Sequence, residues 1–174
     1  MKKINILIFI MLIFAFTLTG CSGSKASGVT EGVKVNKEDL KIGFVHYSDP
    51  SDQGYTYTHD SSTWKMAAAL GIDKSQIINK YNVPDTAEAA TAFRELAEDG
   101  CQIIFSTSHG HEDYLLEVAF EYPNVVFCHF SGVKAASSGL SNVHNYFGDI
   151  AQVRYLSGVV AGLTTKTNKI GYVC

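Results

Sequence analysis

From residue 41 onward the chain alternates between short apolar runs and longer stretches in which apolar residues recur every third or fourth position. The runs 41–47 (KIGFVHY), 75–81 (SQIINKY), 101–108 (CQIIFSTS), 124–130 (NVVFCHF) and 141–147 (SNVHNYF) predict five strands. Helical spacing fills the gaps between them. Tyr57, Ser61, Trp64 and Ala68 predict a helix over 54–70 that packs on that stripe and stops at Gly71. Ala89, Phe93 and Leu96 give a second helix one apolar face, with Asp85 and Glu88 as its capping box and Gly100 as its end. A third helix is expected over 112–122, stopped by Pro123, and a long apolar one over 149–165. The run 169–173 (KIGYV) reads as the start of a sixth strand.

Strands separated by helices of this length imply βαβ units and a parallel sheet. Runs such as QIIF and NVVF suit strands covered on both faces. With right-handed crossovers the expected fold class is α/β, a doubly wound parallel sheet. In such sheets ligands bind beyond the carboxyl ends of the strands, so the loops after strands one, three, four and five are the candidates. The opening KIGFV and the later KIGYV are near copies. That repetition predicts a second lobe restarting the same pattern, with the chain breaking off at its beginning.

The first twenty residues are of a different kind. Lys2 and Lys3 precede an apolar run, INILIFIMLIFAF, and the segment closes with Leu18-Thr19-Gly20-Cys21. A positive end, a short apolar run and small residues at its close read as an export signal. The run is short for a spanning helix, which needs about 20 residues. Leu18 to Cys21 resembles a bacterial lipobox, which implies cleavage before Cys21 and lipid on its sulfur; an ordinary secretory signal is the alternative. The small polar residues that follow suit a flexible tether over 21–39. The expected layout is thus signal 1–20, tether 21–39, a ligand-binding lobe 40–168 and, at 169–174, the start of a hinge and second lobe.

Composition narrows the function further. The chain has 174 residues, 46% hydrophobic and 18% charged, which is enough for a packed core of about one domain. Formal net charge is −3, and loss of Lys2 and Lys3 takes it to −5. Without a clustered Lys/Arg footprint no nucleic-acid partner is expected. Cys101, Cys128 and Cys174 fit no zinc spacing and read as buried apolar thiols.

The chemistry gathers at two predicted strand ends. After strand one comes Asp52-Gln53-Gly54-Tyr55-Thr56. Gly54 allows close backbone approach, free N–H groups at a helix start take an oxygen-bearing group, and tyrosine offers a flat face with a hydroxyl. The combination suits a planar, polar ligand such as a purine. Tyr55 is expected on the ligand face, Tyr57 in the core, and His59 and Asp60 in solvated or helix-packing roles. After strand three, Ser108, His109 and Gly110 make a donor rim, and after strand four Ser131 and Gly132 line a cleft. His129 and His144 read as buried, hydrogen-bonded histidines. His109, His111, Glu112 and Asp113 do not have metal-site spacing, and Ser108 beside His109 lacks a nucleophile elbow. No phosphate loop or dinucleotide fingerprint is present, so no cofactor, metal or catalytic residue is expected.

Taken in order, KIGFV, DQGYTYTHD, ELAEDGCQIIFSTSHGH, EVAFEYPNVVF and YLSGVVAGLTTKTNKIGYV resemble the basic membrane protein family over nearly all of 41–173. These are lipid-anchored, periplasmic-binding-protein-like (type I) receptors of bacterial ABC importers, similar to the purine nucleoside receptor. The resemblance implies the first of two Rossmann-like lobes, a ligand held in the cleft between them, and no enzymatic activity. It implies an ABC permease as partner and a location at the cell membrane, lipid-anchored on the extracytoplasmic face. Ligand contacts are expected from Asp52, Gln53, Tyr55, Thr56, Ser108, His109, Gly110 and Ser131. The nucleoside receptors carry Asp-x-Ser-Phe-Asn after strand one. Here Tyr55 keeps the aromatic ring, but Gly54 and Thr56 replace Ser and Asn, and His109-Gly110 replaces the family's Gly-Phe. Base and nucleoside both stay open. A sugar or signal-molecule receptor feeding a sensor, and an exported α/β hydrolase, are the rival readings.

Overall fold

The computed structural model describes residues 34–172. The predicted signal segment 1–20, the lipid-attachment Cys21 and most of the tether lie outside the described residues, as do Val173 and Cys174.

Five short strands form the sheet: β1 (Ile42–Val45), β2 (Ile77–Lys80), β3 (Ile103–Ser106), β4 (Val126–Phe130) and β5 (Val143–Tyr146). All four pairings are parallel and the order is β2-β1-β3-β4-β5. The five strands predicted between residues 41 and 147 are all present, each shorter than expected. β1 is buried along its whole length because it has a strand on either side and helices on both faces. The register sets Val45 beside Ser106, and Ser106 beside His129, so the strand ends come level along one edge.

The helices are α1 (Tyr55–Leu70), α2 (Ala87–Glu98), α3 (Glu112–Glu121), the one-turn α4 (Ala135–Ser138) and α5 (Ile150–Thr164). One core cluster joins Ile42, Phe44 and Ile77 of the sheet to Ala67 of α1. The larger cluster, on the opposite face, joins Val45, Ile104 and Phe127 to Phe93 and Leu96 of α2 and Leu115 and Val118 of α3. α2 lies so close to β1 that a Cβ on Gly43 would come within 2.9 Å of Leu96. Gly71 closes α1 in the left-handed conformation, at φ 60°.

Four expectations need correction. The stripe on α1 is rotated: Thr56, Thr63 and Ala67 are its buried residues, while Tyr57 is 52% exposed. The cause is the loop before it, which sets how α1 meets the sheet. The cap of α2 is Thr86, whose hydroxyl accepts from Glu88 N–H at 3.4 Å; Asp85 is engaged elsewhere. Residues 37–39 of the expected tether form a 3-10 turn held by the Gln76 amide, which donates to the carbonyls of Lys37 and Leu40 at 2.6 and 2.7 Å. Residues 169–172 are not in a strand, because among the described residues no neighbouring strand offers them a ladder of hydrogen bonds. The predicted long helix is present as α5, and none of its residues is buried.

Candidate ligand-binding site

The strand order reverses direction between β1 and β3, so the loops after these two strands flank the switch point where open α/β sheets bind ligands. The loop after β1 makes a 3-10 turn at Pro50–Asp52, capped by Asp49, and enters α1 through Gln53 at φ 45°. Asp52 then fills the helix start itself. Its Oδ1 accepts from the N–H groups of Gly54 and Tyr57 at 2.9 and 3.0 Å, and its Oδ2 from Thr56 N–H at 2.7 Å. These bonds, the one from Gly54 first, pull its pKa down to about 2. N–H groups expected to be free for a ligand are therefore occupied by the chain's own carboxylate. Thr56, only 1% exposed, lies beneath the turn rather than on its rim.

Tyr55 is 48% exposed, and its hydroxyl donates to the carbonyl of Thr107, just past β3. Its ring meets His59 edge-on at 4.7 Å and Phe130 at 6.2 Å. Phe130 in turn touches His59 at 4.8 Å, Tyr146 at 5.4 Å and Phe147 at 5.0 Å. Five rings thus make a continuous, half-open aromatic shelf from the loop after β1 to the end of β5. Of these, the site reading from sequence singled out Tyr55 alone. Phe130 and Tyr146 sit at equivalent places in paired strands, Phe130 beside Tyr146, which only the register reveals.

The predicted rim after β3 divides in two. Ser108 is buried and its hydroxyl donates to Asp85 at 2.7 Å. Gly110 lies against the same carboxylate, where a Cβ would come within 2.4 Å of Asp85 Cγ. His109 is exposed, with Nδ1 3.2 Å from the Ser131 carbonyl, so the loops after β3 and β4 meet there.

Beneath these loops lie three fully buried histidines, His46, His111 and His129. Nε2 of His129 is 2.8 Å from the Ser108 carbonyl, Nε2 of His111 is 3.1 Å from the Val83 carbonyl, and Nε2 of His46 is 2.9 Å from Asn79 Oδ1. A carbonyl only accepts, so Nε2 carries the proton in His111 and His129. Burial, the largest influence on each, holds all three below the ordinary value of 6.5. His129 meets its expectation, whereas His144 is exposed.

Ser106 Oγ lies 3.1 Å from His111 Nδ1, and His111 Nε2 lies 3.2 Å from Asp85 Oδ1. The order resembles a hydrolytic relay, but Ser106 and His111 are wholly buried under α2 and α3, where no substrate reaches them. Ser108 and His109 do not pair. Among the described residues no group of three or more His, Cys, Asp or Glu is placed to hold a metal ion.

Residues 39–174 match the family model described as ABC transporter substrate-binding protein, PnrA-like (Bmp). A purine-binding protein of Brucella abortus is 35% identical over 137 residues, which cover 79% of this chain and 38% of that protein. A Haloferax volcanii protein provisionally named as an ABC transporter glucose-binding protein is 29% identical over 146 residues, 84% of this chain and 34% of that one. The chain therefore spans little more than a third of these relatives. Among solved structures, an ABC transporter solute-binding protein from Conexibacter woesei superposes with a TM-score of 0.59 at 22% identity, over 71% of this chain and 40% of that one. A transcriptional activator of the comK gene from Bacillus halodurans does so at 0.53 and 23%, over 73% and 41%. At those identities the two structures speak for the fold alone, and it serves proteins of different function. The match across residues 39–174 is what identifies the chain: it belongs to the Bmp family of PnrA-like ABC transporter substrate-binding proteins.

Proposed function

We propose that residues 40–168 form the N-terminal lobe of a receptor that captures a purine base or nucleoside and delivers it to an ABC permease. The observation that carries this reading is Tyr55, a half-exposed ring held by its hydroxyl at the switch point of the sheet, with Phe130 beside it. Such a ring stacks on a flat heterocycle. His109, Ser131 and Gln53 supply polar groups around the shelf, while Asp52, Thr56, Ser108 and Gly110 act behind it by shaping the two loops. The second lobe closes over the ligand by a hinge motion, and no bond is made or broken. The Brucella relative named for purine binding supports the ligand class. Cys21 carries the lipid that holds the receptor at the outer face of the membrane, near its permease.

Equilibrium titration of the full-length protein with adenine, guanine, adenosine, guanosine, glucose and ribose tests the reading. Purine binding that is lost in Tyr55→Ala and kept in Tyr55→Phe supports it. Binding of glucose or ribose alone favours the second reading, a sugar receptor, for which the Haloferax relative's name is the motive. Mass spectrometry of the membrane-extracted protein tests for a diacylglycerol thioether on Cys21.

A further inference from the structure

Glu112 opens α3, yet only 5% of it is exposed. A buried carboxylate needs donors, and this one finds them in a different loop. Its Oε1 accepts from the N–H groups of Val133 and Lys134, each at 2.7 Å, and from Asn145 Nδ2 at 3.3 Å. Both N–H groups belong to the loop after β4, just past Ser131. That loop is tied at further points. Ser131 N–H donates to the Tyr146 carbonyl at 2.9 Å, and Ala135 N–H donates to Asn145 Oδ1 at 2.9 Å. The Ser131 carbonyl faces His109.

Ser131 itself stands at φ 59°, a left-handed conformation that a residue with a side chain adopts at a cost. It persists only where the surroundings hold it. Gly132 explains how tightly they do. A Cβ there would lie 2.2 Å from His129 Nδ1, 2.3 Å from Asn145 Nδ2 and 2.4 Å from Glu112 Oε1. His129 Nδ1 is buried and has no hydrogen-bond partner among the described residues. Its other nitrogen is engaged with the Ser108 carbonyl. The loop therefore sits on a polar knot drawn from α3, β4 and β5. Burial pushes the Glu112 pKa up, but the N–H groups of Lys134 and Val133, with His129 and Asn145, outweigh it and keep the group charged.

We propose that Glu112 is a positioning residue of the ligand site, fixing Ser131 at the edge of the aromatic shelf and thereby setting which ligands the β4 side accepts. The inference rests on the ligand site proposed above. Glu112 touches no ligand; it acts through the backbone of 131–134.

The test uses the full-length protein as Glu112→Ala, Glu112→Gln, Gly132→Ala and, as a control, Val118→Ala, a core residue of the same helix. Two readouts separate positioning from general destabilisation: amide exchange at Val133 and Lys134 without ligand, and the ratio of affinities for adenine, adenosine and glucose. Glu112→Ala is expected to speed exchange at those two amides about tenfold beyond the control, because each loses a charged acceptor. It also changes the affinity ratio, which Val118→Ala leaves alone. Glu112→Gln keeps an acceptor oxygen and restores most of both. Gly132→Ala repeats the change in ratio with the carboxylate intact. Exchange in Glu112→Ala equal to that in Val118→Ala overturns the inference, and so does faster exchange with an unaltered ratio. If the wild type binds none of the three, the proposed function fails and the exchange comparison alone decides whether Glu112 positions the loop.

Discussion

The hydroxyl of Tyr55 donates to the backbone carbonyl of Thr107, a bond that crosses 52 positions of sequence. It joins the first residue of α1 to the residue after β3, over the point where the strand order reverses. The ring is thereby aimed, not merely exposed. Tyr55→Phe removes the bond and keeps the ring, with an expected loss of about 1 kcal/mol in folding stability. Tyr55→Ala removes the stacking face as well. Thermal melts and ligand titration are expected to separate the two: similar melting temperatures, but far weaker binding in the alanine variant. Equal affinity in both would refute the stack.

Asp52 caps α1 through three N–H groups, so Asp52→Ala should lower the melting temperature more than Asp52→Asn, which can keep the two Oδ1 bonds. Its pKa is depressed from 3.8 to about 2. The stabilisation is therefore complete above 3.8 and fades only as pH falls toward about 2. Melting curves of the two variants between mildly acidic and neutral pH should run parallel to the wild type.

The buried histidines predict a loss in the same direction, as pH falls, but at higher pH. Their folded pKa values lie below the ordinary 6.5, so between the two values the unfolded chain binds more protons. Stability is full above 6.5 and declines as pH drops below it. Urea midpoints should fall between about pH 7.5 and about pH 5.5, and replacing His129 by glutamine should flatten that slope. A midpoint independent of pH across this window would contradict the lowered pKa values of the three rings.

Phe93 of α2 fills the larger core between His111, 5.9 Å away, and Phe127, 6.4 Å away. Phe93→Ala should cost about 3–5 kcal/mol by chemical denaturation, because the sheet and α3 close the cavity only in part. A loss under about 1 kcal/mol would mean that the core repacks.

α5 presents Val153, Leu156, Val160 and Leu163 to solvent, Leu163 at 84% exposure. An apolar face of that extent drives association. Sedimentation velocity of this chain should show concentration-dependent assembly, reduced by Leu156→Lys with Val160→Glu. A monomer at all concentrations would contradict it.

Much of the architecture was legible in the residues because its causes are local. Runs such as QIIF and NVVF carry their strand character in their own composition, and Gly71 and Gly100 mark helix ends by tolerating left-handed backbone. Caps were less legible. Asp85 and Thr86 are both good caps on paper, and the choice fell to Thr86 because Ser108, from another loop, claims Asp85. The stripe on α1 was misplaced for a similar reason: spacing gives a helix its period but not its rotation. That rotation follows from how Asp52 and Thr107 hold its first turn.

By itself, then, the sequence determined the α/β class and the five strands, and it singled out Tyr55 at the carboxyl edge of the sheet. Only the tertiary structure decided that Asp52 fills the helix start, that Phe130 and Tyr146 extend the shelf, and that Glu112 holds the loop beside it. The physical reason is range: period and turn chemistry act within a few residues, whereas hydrogen-bond partners and ring contacts are settled by strand register across the sheet.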